Sequence, residues 1–381
     1  MPLWKIPLFE LELTDDDVIA VLRPLRNRWL TMGEETQRFE SAFKEKTGAR
    51  HAFAVSSGTA ALHLALLALE IGPGDEVLLP SFTFVACANV IRAVGADPVF
   101  VDIAGETDWT ISPEDLEAKI TPRSRAVMVV HYAGFPCHME AILATARRHN
   151  LAVIEDCAHA VISKQDGITC GCFGDAGCFS FFSNKNMTTG EGGMITTQQD
   201  ALAERLHLLR SHGMTSLTLD RYQGRANSYD VHTIGLNYRI DEIRSALGRS
   251  QLERLTRNLE IRNEIYQTYV EYLAPLDEIT IPFLDRLEDV TGYHIFPIAL
   301  MEGINRNQFI HALKEEGIQT SIHYPPIHRF QVYQEYLDGE DCQCPITESI
   351  SARQVTLPFY PGMNAKDIQT VCEAVIRHAR L

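Results

Sequence analysis

The sequence predicts an α/β protein, with a mostly parallel central sheet between helices and a smaller C-terminal α+β domain. Two observations carry this. Between about residues 50 and 200, short apolar runs with little polar alternation are separated by helical patterns. That is how parallel strands buried on both faces read. After about residue 240 a single long helical stretch takes over, and mixed strand and helix patterns follow it. The boundary is placed at residue 245, giving a large domain over 1–245 and a long linking helix with a small domain over 246–381.

The elements follow in order. HAFAV (51–55) is a strand, and GTAALHLALLALE after it is helical. EVLLP (76–80) is the next strand, and FVACANVIRAV is a helix crossing over to DPVFVDI. SPEDLEAKI opens a helix with Ser112 as N-cap, Pro113 at the first helical position and acids in the first turn. Strand AVMVV (126–130), helix MEAILATARRHN, strand LAVIED (151–156) and strand CFSFF (178–182) complete the large unit. From DEIRSALG the pattern is one helix to APL, broken softly at Gly248 and ended before Pro275. YHIFPIAL and QTSIHY then read as strands, with NQFIHALKEEG and KDIQTVCEAVIRHAR as helices.

Composition narrows the function classes. A chain of 381 residues with 45% hydrophobic and 22% charged residues is an ordinary globular protein, long enough for two or three domains. Its net charge of −16 argues against nucleic acid or an anionic membrane as partner. The N-terminus lacks a signal-peptide pattern, and apolar stretches such as Ala126–Val130 are far too short to span a bilayer. The nine cysteines are scattered, without a CxxC pair. The CxC pairs Cys170/Cys172 and Cys342/Cys344 lack a partner at zinc-finger spacing. The expectation is a cytoplasmic protein with reduced thiols and no metal.

Three short motifs carry chemistry. SSGTAAL (56–62) follows a strand and opens a helix, so the N–H groups at Ser57, Gly58 and Thr59 form an anion site. Taken alone it reads first as a capped helix start with a tight turn. EDCAHA places Asp156 at the carboxyl end of a parallel strand, where open α/β sheets bind ligands. Such a carboxylate could hold a protonated ring nitrogen or merely cap the next turn. Lys185 follows the next strand in FSFFSNKNMTTGEGG, beside glycines that supply flexibility. A lysine desolvated there can act as a Schiff-base amine, although an exposed surface charge is the commoner case. Together, a phosphate cradle, an acid for a ring nitrogen and a reactive lysine on successive strand ends are the three fixings of pyridoxal 5′-phosphate.

The chain resembles the DegT/DnrJ/EryC1/StrS family of sugar aminotransferases, which have the aspartate-aminotransferase fold (fold type I). The resemblance runs through WLTMGEETQRFESAF, AFAVSSGTAALHLAL, GPGDEVLLPSFTFVACANV, IEDCAHA, FGDAGCFSFFSNKNMTTGEGGMITT, GLNYRIDEIRSALG, HYPPIH and LPFYPGM. It implies that Lys185 carries the cofactor and Asp156 partners the pyridine nitrogen, and that Ser57, Gly58, Thr59 and Ser180 hold the phosphate. Phe84 would stack on one ring face, with Ala158 and His159 near the other face or the ring oxygen. Asn237 would reach the phosphate in a neighbouring subunit, so the resemblance also implies a homodimer with shared active sites. Trp29, Thr31, Gly33, His323 and Tyr324 would lie near the substrate.

The implied reaction moves an amino group from an amino acid, L-glutamate, to a keto sugar, through the pyridoxamine 5′-phosphate form. A dehydratase branch of the family has histidine where Lys185 stands here, so transamination is favoured. One departure is local: many relatives continue with GA after the EDxAHA segment, whereas this chain reads VISKQDG. Three alternatives stay open, namely a keto-cyclitol as acceptor, a non-catalytic cofactor-binding regulator, and a nucleotide-binding domain using SSGT as its phosphate loop. The last leaves Lys185 and Asp156 unexplained, and no GxGxxG follows a strand.

Overall fold

The computed structural model describes residues 4–286, 290–337 and 342–380. Seven strands build the central sheet: β1 (His51–Val55), β2 (Glu76–Pro80), β3 (Asp97–Val101), β4 (Ser124–Val130), β5 (Ala152–Asp156), β8 (Ala176–Ser180) and β9 (Gly193–Thr197). A short hairpin, β6 (Lys164–Gln165) and β7 (Ile168–Thr169), lies between β5 and β8. The sheet order is β1-β9-β8-β5-β4-β2-β3, and only β9 runs antiparallel to its neighbours.

Helices cover both faces because both faces are apolar. Preceding the sheet are α1 (Asp15–Asn27) and α2 (Glu34–Thr47); between its strands run α3 (Gly58–Ala68), α4 (Ala86–Ala93), α5 (Pro113–Ala118) and α6 (Met139–His149), then α7 (Asp200–Leu209), α8 (Thr218–Tyr222) and α9 (Glu242–Leu273). One core joins α3, α4 and α7 to the sheet through residues such as Leu64, Ile91 and Leu206. On the opposite face α2 and α9 bury Phe39, Phe43, Leu252 and Leu255 against Phe179 and Phe181, while α5 and α6 bury Leu116 and Ile142.

The 32-residue α9 is about 48 Å long and ties the molecule together. Its first residue, Glu242, is buried and accepts hydrogen bonds from the N–H groups of Gly33, Glu35 and Thr36, capping α2 with a carboxylate. Further along, Arg254 and Gln251 bond the buried Asp17 of α1. Near its end, Tyr266 and Tyr269 enter an aromatic core with Phe296 and Phe359. That core belongs to an antiparallel sheet of β10 (Ile279–Thr280), β11 (Phe296–Leu300) and β12 (Gln354–Leu357). Around it lie α10 (Arg306–Glu315), α12 (Pro345–Arg353) and α13 (Ala365–Ala379), while α11 (Gln331–Tyr336) packs on the large unit, where Tyr333 bonds Asn89 of α4. The N-terminal segment reaches the smaller unit, where Ile6 pairs with Ile318.

Three sequence expectations are corrected. The strand expected over 178–182 ends at Ser180, because Phe181 turns to bond Gly192 and begins the loop to β9. QTSIHY makes no strand, only a single bridge from Ser321 to Thr356. Helix α9 passes through Gly248 unbroken. A side chain at that position would lie 2.7 Å from the Phe39 ring, so the glycine is there for close packing.

Candidate active site

The carboxyl ends of β4, β5 and β8 open onto one cavity of about 360 Å³, where the topology of an open parallel sheet leaves room for a ligand. Its walls are built from the chain as follows. Ser57 caps α3 by accepting the Ala60 N–H (3.0 Å). The N–H groups of Gly58 and Thr59 then find no acceptor among the described residues, and both residues line the cavity. Ser180, at the end of β8, presses against this turn. A Cβ on Gly58 would stand 2.8 Å from the Ser180 Cβ, so only glycine fits. Gly193 is equally tight: a Cβ there would lie 2.6 Å from the Ser57 carbonyl carbon. GEGG, read from the sequence as a flexible run, thus supplies close approach at Gly193.

Asp156 is the last residue of β5 and is nearly buried. Its Oδ1 accepts the Ala158 N–H (2.9 Å) and its Oδ2 accepts the Cys87 thiol (3.1 Å). Two of its roughly four acceptor sites remain for a ligand. Lys185 lies on the loop joining β8 to β9, closed by bonds between Phe181 and Gly192 and between Thr189 and Phe181 (both 2.9 Å). Its ammonium group has no acceptor among the described residues. Burial pushes this amine down to about 8, against the opposing pull of the Asp156 carboxylate.

The upper wall is aromatic. Phe84 is 57% exposed, an apolar ring left uncovered at the cavity, with Tyr324 tilted beside it at 5.9 Å. His159 Nδ1 accepts the Ala133 N–H (3.2 Å), so its proton is on Nε2, which donates to the Tyr324 hydroxyl (3.0 Å). Burial, reinforced by the Lys185 charge, holds His159 well below the usual histidine range. His323 is likewise lowered by burial, to about 4, and bonds Thr356. Both imidazoles are neutral at pH 7.

The structure therefore gathers Ser57, Gly58, Thr59, Phe84, Asp156, Ala158, His159, Ser180, Lys185, His323 and Tyr324 around one space. Trp29, Thr31, Gly33 and Asn237 do not line it. Trp29 packs on Tyr222 (4.7 Å) at the surface, and Gly33 is held by Glu242. Sequence reasoning missed Asn184, Glu191, Thr83 and Phe182, which also line the cavity. The signal was available, because each lies within three residues of Lys185 or within the loops flanking Phe84 and Gly193.

An open anion cradle, a carboxylate with spare acceptor sites, an uncovered aromatic face and a half-buried amine without a partner among the described residues fit pyridoxal 5′-phosphate at its phosphate, ring nitrogen, ring face and aldehyde. Fold and site together define a fold type I enzyme of that cofactor. The DegT/DnrJ/EryC1/StrS aminotransferase family model matches residues 12–376, and the chain belongs to that family. It is 39% identical over 365 residues to the Bacillus subtilis spore coat polysaccharide biosynthesis protein SpsC, covering 94% of this chain and 93% of that one. Helicobacter pylori PseC, an aminotransferase of pseudoaminic acid biosynthesis, superposes with a TM-score of 0.91 at 30% identity, covering 98% and 99% of the two chains. Streptomyces venezuelae DesV, solved with a ketimine intermediate, gives 0.91 at 32% identity over 99% of both chains. The protein is a pyridoxal-phosphate-dependent sugar aminotransferase. Among the described residues no helix is long and apolar enough to cross a membrane.

Proposed function

We propose that the chain moves the amino group of L-glutamate to C3 or C4 of a nucleotide-linked keto sugar, for amino sugars of cell-surface polysaccharides or glycosides. The observation that carries this reading is the unpaired Lys185 amine facing the Asp156 carboxylate across one cavity. Bound pyridoxal phosphate supplies an electron sink conjugated to the reacting carbon.

The protein's own residues do the rest. Asp156 keeps positive charge at the ring nitrogen, which deepens that sink. Lys185 would hold the cofactor at rest, and its freed amine would take and return a proton at the donor carbon. With its proton affinity lowered to about 8, the amine accepts and releases that proton near neutral pH. Ser57, Gly58, Thr59 and Ser180 receive the phosphate. Phe84 and Ala158 bracket the ring, and His159 is placed to orient Tyr324, whose own hydroxyl proton is left free for a sugar oxygen.

A homodimer is part of the same proposal. The segment carrying Asn237 exposes Tyr222 (75%), Val231 (53%) and Ile234 (92%), an apolar surface suited to a second copy. In such a dimer Asn237 and the Trp29–Gly33 loop would serve the partner's cavity. Among the described residues no disulfide joins the nine cysteines, which suits the reducing cytoplasm.

The test is conversion of L-glutamate to 2-oxoglutarate with accumulation of the pyridoxamine form, followed by its discharge on keto sugars. Inhibition by free UDP, GDP or dTDP favours a nucleotide sugar, and indifference to all three favours a keto-cyclitol. No pyridoxamine form with any amino acid would leave a non-catalytic binder.

A further inference from the structure

Asp156 needs a reason to point where it does. A carboxylate on a short side chain at a strand end can rotate, and only one of its oxygens is fixed by the backbone, through Ala158. The other is met by Cys87, in the first turn of α4, fully buried and 3.1 Å away. Its donor direction is set by chemistry, since an ionised carboxylate only accepts and the thiol is the partner that holds a proton. Thr83 approaches the same sulfur at 3.8 Å, and the Cys87 N–H bonds the Phe84 carbonyl (3.3 Å). The thiol is therefore anchored in the same turn that presents the Phe84 ring.

We propose that Cys87 is a positioning residue for Asp156: its S–H fixes Oδ2, so that the remaining acceptor sites face the ring nitrogen of the cofactor. The proposal rests on the reading of Asp156 given above. Burial and the neighbouring carboxylate push the thiol well above its usual range, so it keeps its proton across the working pH. A thiol is a weak donor. It orients the carboxylate while withdrawing little of the negative charge that a pyridinium requires.

The experiment measures the Kd of the apoprotein for pyridoxamine 5′-phosphate, which cannot link covalently to Lys185. It compares wild type, Cys87→Ser, Cys87→Val, Cys87→Ala and Asp156→Asn, and takes the thermal midpoint of each apoprotein in parallel. Cys87→Val keeps the volume and loses the donor, so binding should weaken about tenfold, the scale of one hydrogen bond to a charged group. Cys87→Ser keeps a donor and should stay within about threefold of wild type. Cys87→Ala should follow Val and stands in for it if the larger side chain prevents folding. A residue that merely fills space would give the reverse order, with Val tolerated and Ser impaired, and that order overturns the proposal. Equal loss in Ser and Val overturns it as well. If Asp156→Asn weakens binding and Cys87→Val does not, the thiol's role alone falls. If Asp156→Asn binds like wild type, the reading of Asp156 falls and takes the thiol's role with it.

Discussion

Glu155 and Asp156 are consecutive acids at the end of β5, and strand alternation turns them to opposite faces of the sheet. Glu155 is completely buried and its oxygens are fully used. Phe173 and Gly174 N–H groups meet Oε1 (both 2.8 Å), while Gly171 N–H (2.7 Å) and His131 Nε2 (3.0 Å) meet Oε2. His131 accepts the Cys137 N–H on Nδ1, so it is the neutral tautomer donating to Glu155. Asp156 takes two donors and keeps its other acceptor sites toward a cavity that also holds an unpaired amine. A buried acid is therefore no marker of function by itself. The marker is acceptor capacity left unfilled beside open space. Glu155 holds a loop in place, and Asp156 is free to hold a ligand.

Breaking the Asp156 side should cost activity and spare the fold. Lys185→Ala is expected to lose more than the ~10²–10⁴ typical of a positioned acid–base, because cofactor attachment goes with it. Residual turnover within about tenfold of wild type would remove Lys185 from the chemistry. Asp156→Asn should slow the half-reaction with L-glutamate by about 10² to 10³, with the thermal midpoint close to wild type, since the lost charge faces a cavity.

Breaking the Glu155 side should do the opposite. Glu155→Gln turns an amide nitrogen toward backbone donors, and about 2–3 kcal/mol of stability should go with it in a denaturant titration. The folded fraction should keep a near-normal half-reaction. A stable but inactive Glu155→Gln would merge the two roles that the geometry separates.

The smallest effect sharpens the comparison through pH. Only the unprotonated amine of Lys185 captures pyridoxal phosphate, and burial lowers it from the ordinary lysine value to about 8. Capture by the apoprotein, followed by absorbance, should be flat above pH 8. Below that it should fall about tenfold per unit as the amine protonates. A rate still climbing at pH 10 would mean an ordinary solvated lysine.

The sequence was most readable where local signals are strongest. The strands HAFAV and EVLLP, and the Ser112 cap with Pro113 behind it, match their observed positions, because apolar runs there are bounded by turn and cap residues. Less legible were elements whose shape depends on distant partners. β9 is not assigned from the sequence; only its first residue falls in the flexible GEGG run, although Gly193 packs against Ser57 from the neighbouring strand's turn. α1 and α2 were not assigned; their charged faces hide the buried Phe39 and Phe43, and α2 is capped by Glu242, over two hundred residues downstream in sequence. Within the site, Lys185 and Asp156 were visible as strand-end residues. Cys87 was not, because only the packing of α4 against β2 and β3 brings its sulfur to the carboxylate at the end of β5.

The most direct measurement is reduction of the holoprotein with borohydride, which freezes the lysine–cofactor link, followed by peptide mapping. A pyridoxyl label on Lys185 alone is the expected result. A label on any other lysine, with Lys185 unmodified, would contradict the account of the site.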